Sequence, residues 1–394
     1  MNNVLILTYW AYDDALIQTY TLPYLKQIKD QIGDDSRITL VTYEPDPARL
    51  FELENETFRD FDLFPLPYSP FGGKAMFSTI GKVRKLKKIT KQKNIHTIHC
   101  WCTPAGAIGY MLHRLTGLPL VLDSFEPHAE SMVENGTWTR EGKAFKILFK
   151  LERKQAEKAS HIIGLTKGMK SYCEEKYAVS PKSYFIKPAC VDLEKFDSNQ
   201  YENIRSELGL SETDIVCIYA GKVGGIYLED EIFQFWKQCD ELIPNFKVIF
   251  LSNLSDEHLQ NYCQKHQLDP SIIIKKFVPH ADVPKYMAQA NFALNPVKPV
   301  PSKRYCTSIK DGEYWAMGLP VAITANISDD SEIISENKTG VVLESFDADH
   351  LKRKITELVE LMKDENLKQR VRQQAIDHRN FENSVKIYRK IYSS

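Results

Sequence analysis

Short apolar runs alternate with amphipathic stretches along this chain, the pattern of α/β domains built on mostly parallel sheets. In the first half the runs predict strands at Val4–Thr8, Arg37–Tyr43, Thr97–Trp101, Leu118–Asp123, His161–Leu165 and Tyr184–Lys187. Helical spacing predicts helices at Leu16–Gln31, Gly81–Gln92, Ala105–Leu115 and Lys143–Lys158. The pattern restarts near residue 214. Strands are predicted at Ile215–Ala220, Lys247–Leu251, Ile272–Lys276, Phe292–Asn295, Pro320–Thr324 and Gly340–Leu343. Helices are predicted at Asp230–Leu242, Ser255–His266, Val283–Gln289, Lys310–Met317 and Leu351–Lys363. Polar, irregular residues from Cys190 to Asn199 put the hinge near 190–205. The expectation is two Rossmann-like domains, 1–195 and 205–375, facing an interdomain cleft, because ligands of open parallel sheets bind outside the carboxyl ends of the strands.

The chain has 394 residues, long for one core, which agrees with two domains. A net charge of −1 gives no global reason to expect nucleic acid. Residues 74–93 break that balance with eight basic residues and no acidic one. Ile80, Val83, Leu86 and Ile89 recur at helical spacing, so one face packs and the lysines cover the rest. A solvated helix face is the plain reading, and contact with anionic lipid headgroups is the alternative. The eight cysteines are scattered without metal spacing, which fits a reducing cytoplasm. The first apolar run reads as a strand and not as a signal peptide. No apolar run reaches the length of about 18 residues that a membrane-spanning helix needs.

Candidate chemistry gathers in three places. After the strand Ile215–Ala220 comes Gly221-Lys222-Val223-Gly224-Gly225, where glycines let backbone amides approach a ligand and Lys222 supplies a charge suited to a pyrophosphate. A tight turn with a surface lysine is the plain alternative. Residues 302–323 form a donor-rich loop running into a helix with Glu313, then Gly318 and Pro320 ahead of a buried strand. A helix N-terminus there can hold phosphate, and a carboxylate can accept bonds from sugar hydroxyls. In the first half, Asp123, Glu126, His128 and Glu130 follow a strand end, while Tyr9, Trp10 and His99 top two others. A capped helix start and a core histidine are the plain readings of those groups.

The stretch Ser308-Ile-Lys310-Asp-Gly-Glu313-Tyr-Trp-Ala316-Met-Gly318-Leu-Pro320-Val321 resembles the donor-site signature of the family-4 retaining glycosyltransferases, in a divergent version. Phe277-Val-Pro-His280, Asp329-Asp330-Ser331-Glu332 and Lys338-Thr339-Gly340 are similar to further elements of that family, in the same order. The resemblance implies a GT-B fold whose last segment, 376–394, is a helix crossing back to the first domain. It implies transfer of a sugar, with retention, from a nucleotide-sugar to a hydroxyl acceptor, in glycan or polysaccharide biosynthesis. UDP is favoured over GDP. Donor contacts would come from Gly221, Lys222, Gly224, Gly225, Ser308, Ile309 and Lys310, with Lys303 or Arg304 as second cation. Phe277 and Val278 would pack on the base, and Glu313 would hold the ribose. Tyr305 stands where the common motif has its first glutamate, which leaves sugar selection open. Asp123, Glu126, His128 and Lys222 would be catalytic-region groups; Tyr9, Trp10, His99 and Glu130 would lie on the acceptor side. No metal and no cofactor is expected. The acceptor would be a glycan, a lipid-linked sugar or a small molecule, met in the cytoplasm or at the inner face of the membrane. A sugar-nucleotide epimerase and a two-domain solute-binding protein are the competing readings.

Overall fold

The computed structural model describes residues 2–69 and 73–393, with backbone alone for 73–77; Lys74 therefore lies outside the described side chains. The chain divides into two units, Met1–Pro188 with Glu382–Ser394, and Ala189–Phe381. The crossing at Pro188–Ala189 falls just ahead of the polar stretch 190–205, because that stretch packs within the second unit.

The first unit holds a seven-stranded sheet. Its strands are β1 (Val4–Leu7), β2 (Ile38–Glu44), β3 (Asp62–Pro67), β4 (Thr97–Trp101), β5 (Leu120–Phe125), β6 (His161–Gly164) and β7 (Tyr184–Ile186). They lie in the order β3-β2-β1-β4-β5-β6-β7, with every ladder parallel. β1, β2 and β5 are buried along their whole length, as parallel strands covered on both faces must be. β3 carries Pro65 and Pro67, which hide it from a strand pattern and suit it to the edge position it takes. The helix expected at 16–31 is split into a π-helical turn, Ile17–Thr21, and a helix, Leu22–Ile32. Pro23 causes the break, since it has no N–H to donate into the turn before it.

The second unit holds β8 (Ile215–Ala220), β9 (Phe246–Leu251), β10 (Ile273–Lys276), β11 (Phe292–Asn295), β12 (Val321–Thr324) and β13 (Gly340–Leu343). Their order is β10-β9-β8-β11-β12-β13, again all parallel. The order reverses between β8 and β11, so the loops leaving these two strands diverge and leave a crevice. The helix Ile309–Ala316 lies beside it and sinks Tyr314 and Trp315 fully into the core. Truncating such a buried tryptophan to alanine costs about 3–5 kcal/mol, so this helix is rigidly held.

Candidate functional site

The loop after β8 is shaped by its glycines. The Ala220 amide donates to the Tyr314 hydroxyl at 3.0 Å, and the Gly221 amide to the Leu251 carbonyl at 2.8 Å. Gly224 and Gly225 have φ of 84° and 65°, the left-handed region in which a side chain is strained. At Gly221 a Cβ would stand only 2.4 Å from Lys310 Nζ. The amides of Leu228 and Lys298 donate to the carbonyls of Pro296 and Ile226, which stitches this loop to the segment leaving β11. Both sides of the crevice are thereby held together. Lys222 is exposed at its mouth, and among the described residues its ammonium has no partner.

Lys310 is the second cation. Its stem partly surfaces, but its ammonium lies 3.6 Å from the Tyr227 ring centre and 4.7 Å from that of Tyr219, against Gly221. Enclosure by these rings pushes its pKa down to about 7, against the opposing pull of Asp311 and Glu313. The sequence reading placed Lys310 among the helix-terminal amide donors; the structure shows a charge waiting at the glycine loop. Arg304 is turned outward instead, in an exposed pair with Glu332 at 3.0 Å. The Lys303 side chain is largely buried, and its carbonyl accepts from the Ser328 amide. Tyr305 ends the turn Pro301–Tyr305. Ser308 stands at the helix N-cap, and among the described residues its buried hydroxyl makes no capping bond and has no partner. Ile309 is the first helical residue.

Glu313 is largely buried, and one of its oxygens accepts from His280 Nε2 at 2.7 Å. Lys195 Nζ stands 3.3 Å from the other ring nitrogen, Nδ1. An ammonium can only donate, which assigns the imidazole proton to Nε2 and aims it at Glu313. Among the described residues the second Glu313 oxygen has no hydrogen-bond partner. Neither His280 nor Lys195 was singled out as a site residue from sequence, because nothing in their spacing marks them; only the chain path between 195 and 280 brings them together. At the end of β10, Phe277 is 79 % exposed, beside a cavity of about 600 Å³ lined by Ser252, Asn253, Ser255, Lys275 and Lys276. Val278 instead packs on the core.

In the first unit the polar cluster is divided between buried and partly exposed positions. Asp123 is 1 % exposed; one oxygen accepts from the Tyr388 hydroxyl at 2.8 Å, and the other lies 3.1 Å from the buried Lys187 ammonium. Burial alone would raise its pKa, but Lys187, His99 and Tyr388 override it and hold it at about 2. His99 is fully buried, with its Nδ1 2.6 Å from the Tyr392 hydroxyl. Asp123 and His99 thus hold the helix Phe381–Tyr392 through its Tyr388 and Tyr392 hydroxyls. Glu126 and His128 are partly exposed, with His128 Nδ1 3.1 Å from Glu126 Oε1. Glu130 pairs with Arg140 at 2.5 Å. Tyr9 and Trp10 follow β1 and are half-buried. Glu152, also buried, accepts from the Ala129 amide and the Tyr177 hydroxyl. Among the described residues no group of three or more His, Cys, Asp and Glu side chains is placed to hold a metal ion. No described helix is long and apolar enough to cross a membrane.

Two parallel-sheet units, one with Lys222 and Lys310 at the crevice of its switch point, have the GT-B fold. Residues 200–378 match the family described as "Glycosyl transferases group 1", and the second unit is a domain of that family. A D-inositol 3-phosphate glycosyltransferase of Segniliparus rotundus is 21 % identical over 268 residues, which are 66 % of this chain and 57 % of that protein. The match thus spans little more than half the length of this relative. Among solved structures, sucrose-phosphate synthase from Thermosynechococcus elongatus superposes with a TM-score of 0.77 at 15 % identity, over 100 % of both chains. Anabaena HepE in complex with UDP gives 0.72 at 12 % identity, over 100 % of this chain and 98 % of that one.

Proposed function

We propose that the protein is a retaining glycosyltransferase that moves a sugar from a nucleotide-sugar, UDP-sugar before GDP-sugar, to a hydroxyl acceptor. The carrying observation is the Lys310 ammonium set against the Gly221 loop, with Glu313 one helical turn further on. In this reading the diphosphate lies across the amides of 222–225, between Lys222 and Lys310. As the anomeric C–O bond breaks, negative charge develops on the leaving phosphate oxygen, and the two ammoniums and the Ser308 hydroxyl stabilise it. The free Glu313 oxygen accepts from a ribose hydroxyl, and the base lies on Phe277. The acceptor hydroxyl gives its proton to the departing phosphate. These cations do the work that a divalent metal does elsewhere. UDP in the Anabaena neighbour supports the choice of base. Arg84, Lys85, Lys88 and Lys91 leave an exposed basic strip that suits an anionic membrane surface; flotation with phosphatidylglycerol vesicles at low salt tests this.

The test uses UDP-glucose with and without acceptor. Glu313→Ala and Lys222→Ala should each cut transfer at least tenfold while leaving the melting temperature near that of wild type. Undiminished transfer in both variants would overturn the donor site. Conversion of the sugar without any acceptor would point to an epimerase.

A further inference from the structure

Lys195 belongs to the polar, irregular stretch 190–205, yet its backbone is firmly held. The Asp192 side chain accepts from the amides of Glu194 and Lys195, and the Asp192 carbonyl accepts from the Phe196 amide. The Tyr201 hydroxyl donates to the Lys195 carbonyl at 2.7 Å. Arg372 donates to the carbonyls of Leu193 and Phe196 and to Asp197, and also to the Ala316 carbonyl at the end of the helix that carries Glu313. The Lys195 ammonium lies 5.5 Å from the centre of the buried Phe196 ring, and the His280 ring packs 5.9 Å from the same centre. Among the described residues no carboxylate pairs with Lys195; its ammonium meets His280 Nδ1 instead, at 3.3 Å.

That contact has a consequence at the other end of the ring. A histidine beside a carboxylate attracts a second proton, because an opposite charge favours the charged form. Here Nδ1 is filled by a hydrogen of the ammonium, and the ammonium repels an imidazolium. The ring is therefore neutral, with its proton on Nε2, 2.7 Å from Glu313. Glu313 keeps its full charge and engages one oxygen only. A charged carboxylate is a stronger acceptor for a hydroxyl than one neutralised by an ion pair.

We infer that Lys195 is a positioning residue for the donor nucleotide: it keeps His280 a neutral Nε2 donor and so leaves Glu313 a charged acceptor for the ribose hydroxyls. The ribose rests on the proposed donor site; the place of the proton does not.

Nitrogen-15 NMR of the full chain with labelled histidine reads the ring directly, and His280→Gln identifies its signals. At pH 7, Nδ1 should show the shift of an unprotonated nitrogen and Nε2 that of a protonated one. Lys195→Met should move Nδ1 toward the protonated position, and Lys195→Arg, which still donates, should restore it. Calorimetry with UDP and 2′,3′-dideoxy-UDP reads the effect on ribose. Wild type should prefer UDP by about tenfold or more. Lys195→Met should lose at least about threefold of that preference, with affinity for the dideoxy compound nearly unchanged. An unmoved Nδ1 signal in Lys195→Met, or an undiminished preference for UDP, overturns the role of Lys195. Absence of UDP binding in wild type overturns the transferase reading instead, and the Nδ1 signal then decides the place of the proton by itself.

Discussion

The proposed donor site, with Lys310 at the phosphates, requires donor binding to take up a proton. The Lys310 pKa of about 7 in the free protein means that about half of the molecules carry the charge at pH 7, and about one in ten at pH 8. A diphosphate set against the ammonium favours the charged form, so binding draws in a proton wherever the free side chain is neutral. The expected uptake on binding UDP-glucose is about 0.1 proton at pH 6, 0.5 at pH 7 and 0.9 at pH 8. Apparent affinity should fall about 50-fold from pH 7 to pH 9, approaching tenfold per unit. The assay is calorimetry in two buffers of different ionisation enthalpy, where the difference in observed heat gives the uptake. UDP-glucose suits the purpose because its diphosphate is a diester with no proton titrating near neutrality. Lys310→Met should bind more weakly at pH 6 and show no uptake at any pH. Wild-type binding at pH 8 without buffer dependence, or the same uptake in Lys310→Met, would refute the placement of this ammonium at the phosphates.

Other consequences are as direct. His280→Ala should raise the donor KM about tenfold with a smaller change in kcat, because Glu313 loses a charge-assisted bond worth about 1.5–3 kcal/mol; His280→Gln, which can still donate, should recover part, and an unchanged KM would refute the positioning role. Tyr388→Phe should lower stability by about 1.5–3 kcal/mol in urea melts, leaving UDP affinity intact, since it removes a bond to the buried Asp123 carboxylate. Asp123 itself has a depressed pKa, so its contribution is complete above pH 3.8 and is lost as pH falls through about 2. Glu152 behaves oppositely: burial raises its pKa to about 8, so the fold holds it protonated, and stability falls by about 1.4 kcal/mol per pH unit between 4.5 and 8. Glu152→Gln should remove that slope, and identical slopes in variant and wild type would contradict the buried, neutral carboxyl.

The strands were legible because parallel strands buried on both faces are written as short apolar runs, as in Val4–Leu7 and Val321–Thr324. β3 was hidden by Pro65 and Pro67, which only an edge position allows. The glycine loop and Glu313 could be read from residue type and order. The placement of the Lys310 ammonium could not, because it is located by Tyr219 and Tyr227, which lie far away in sequence. The surroundings of Asp123 were hidden for a related reason: Lys187 and Tyr388, which close over it, lie far away in sequence.

The anchoring of the last helix bears on how the protein is made. Seen from the ribosome, residues 1–188 emerge with all seven strands of the sheet but with Asp123 and His99 still missing Tyr388 and Tyr392. The second unit must then be synthesised in full before those partners leave the exit tunnel. The first unit therefore waits, with a hydrophobic face open, for about 190 residues of unrelated chain. During that interval it is a client for chaperones and proteases, whereas the second unit, continuous from Ala189 to Phe381, can close as soon as it is released.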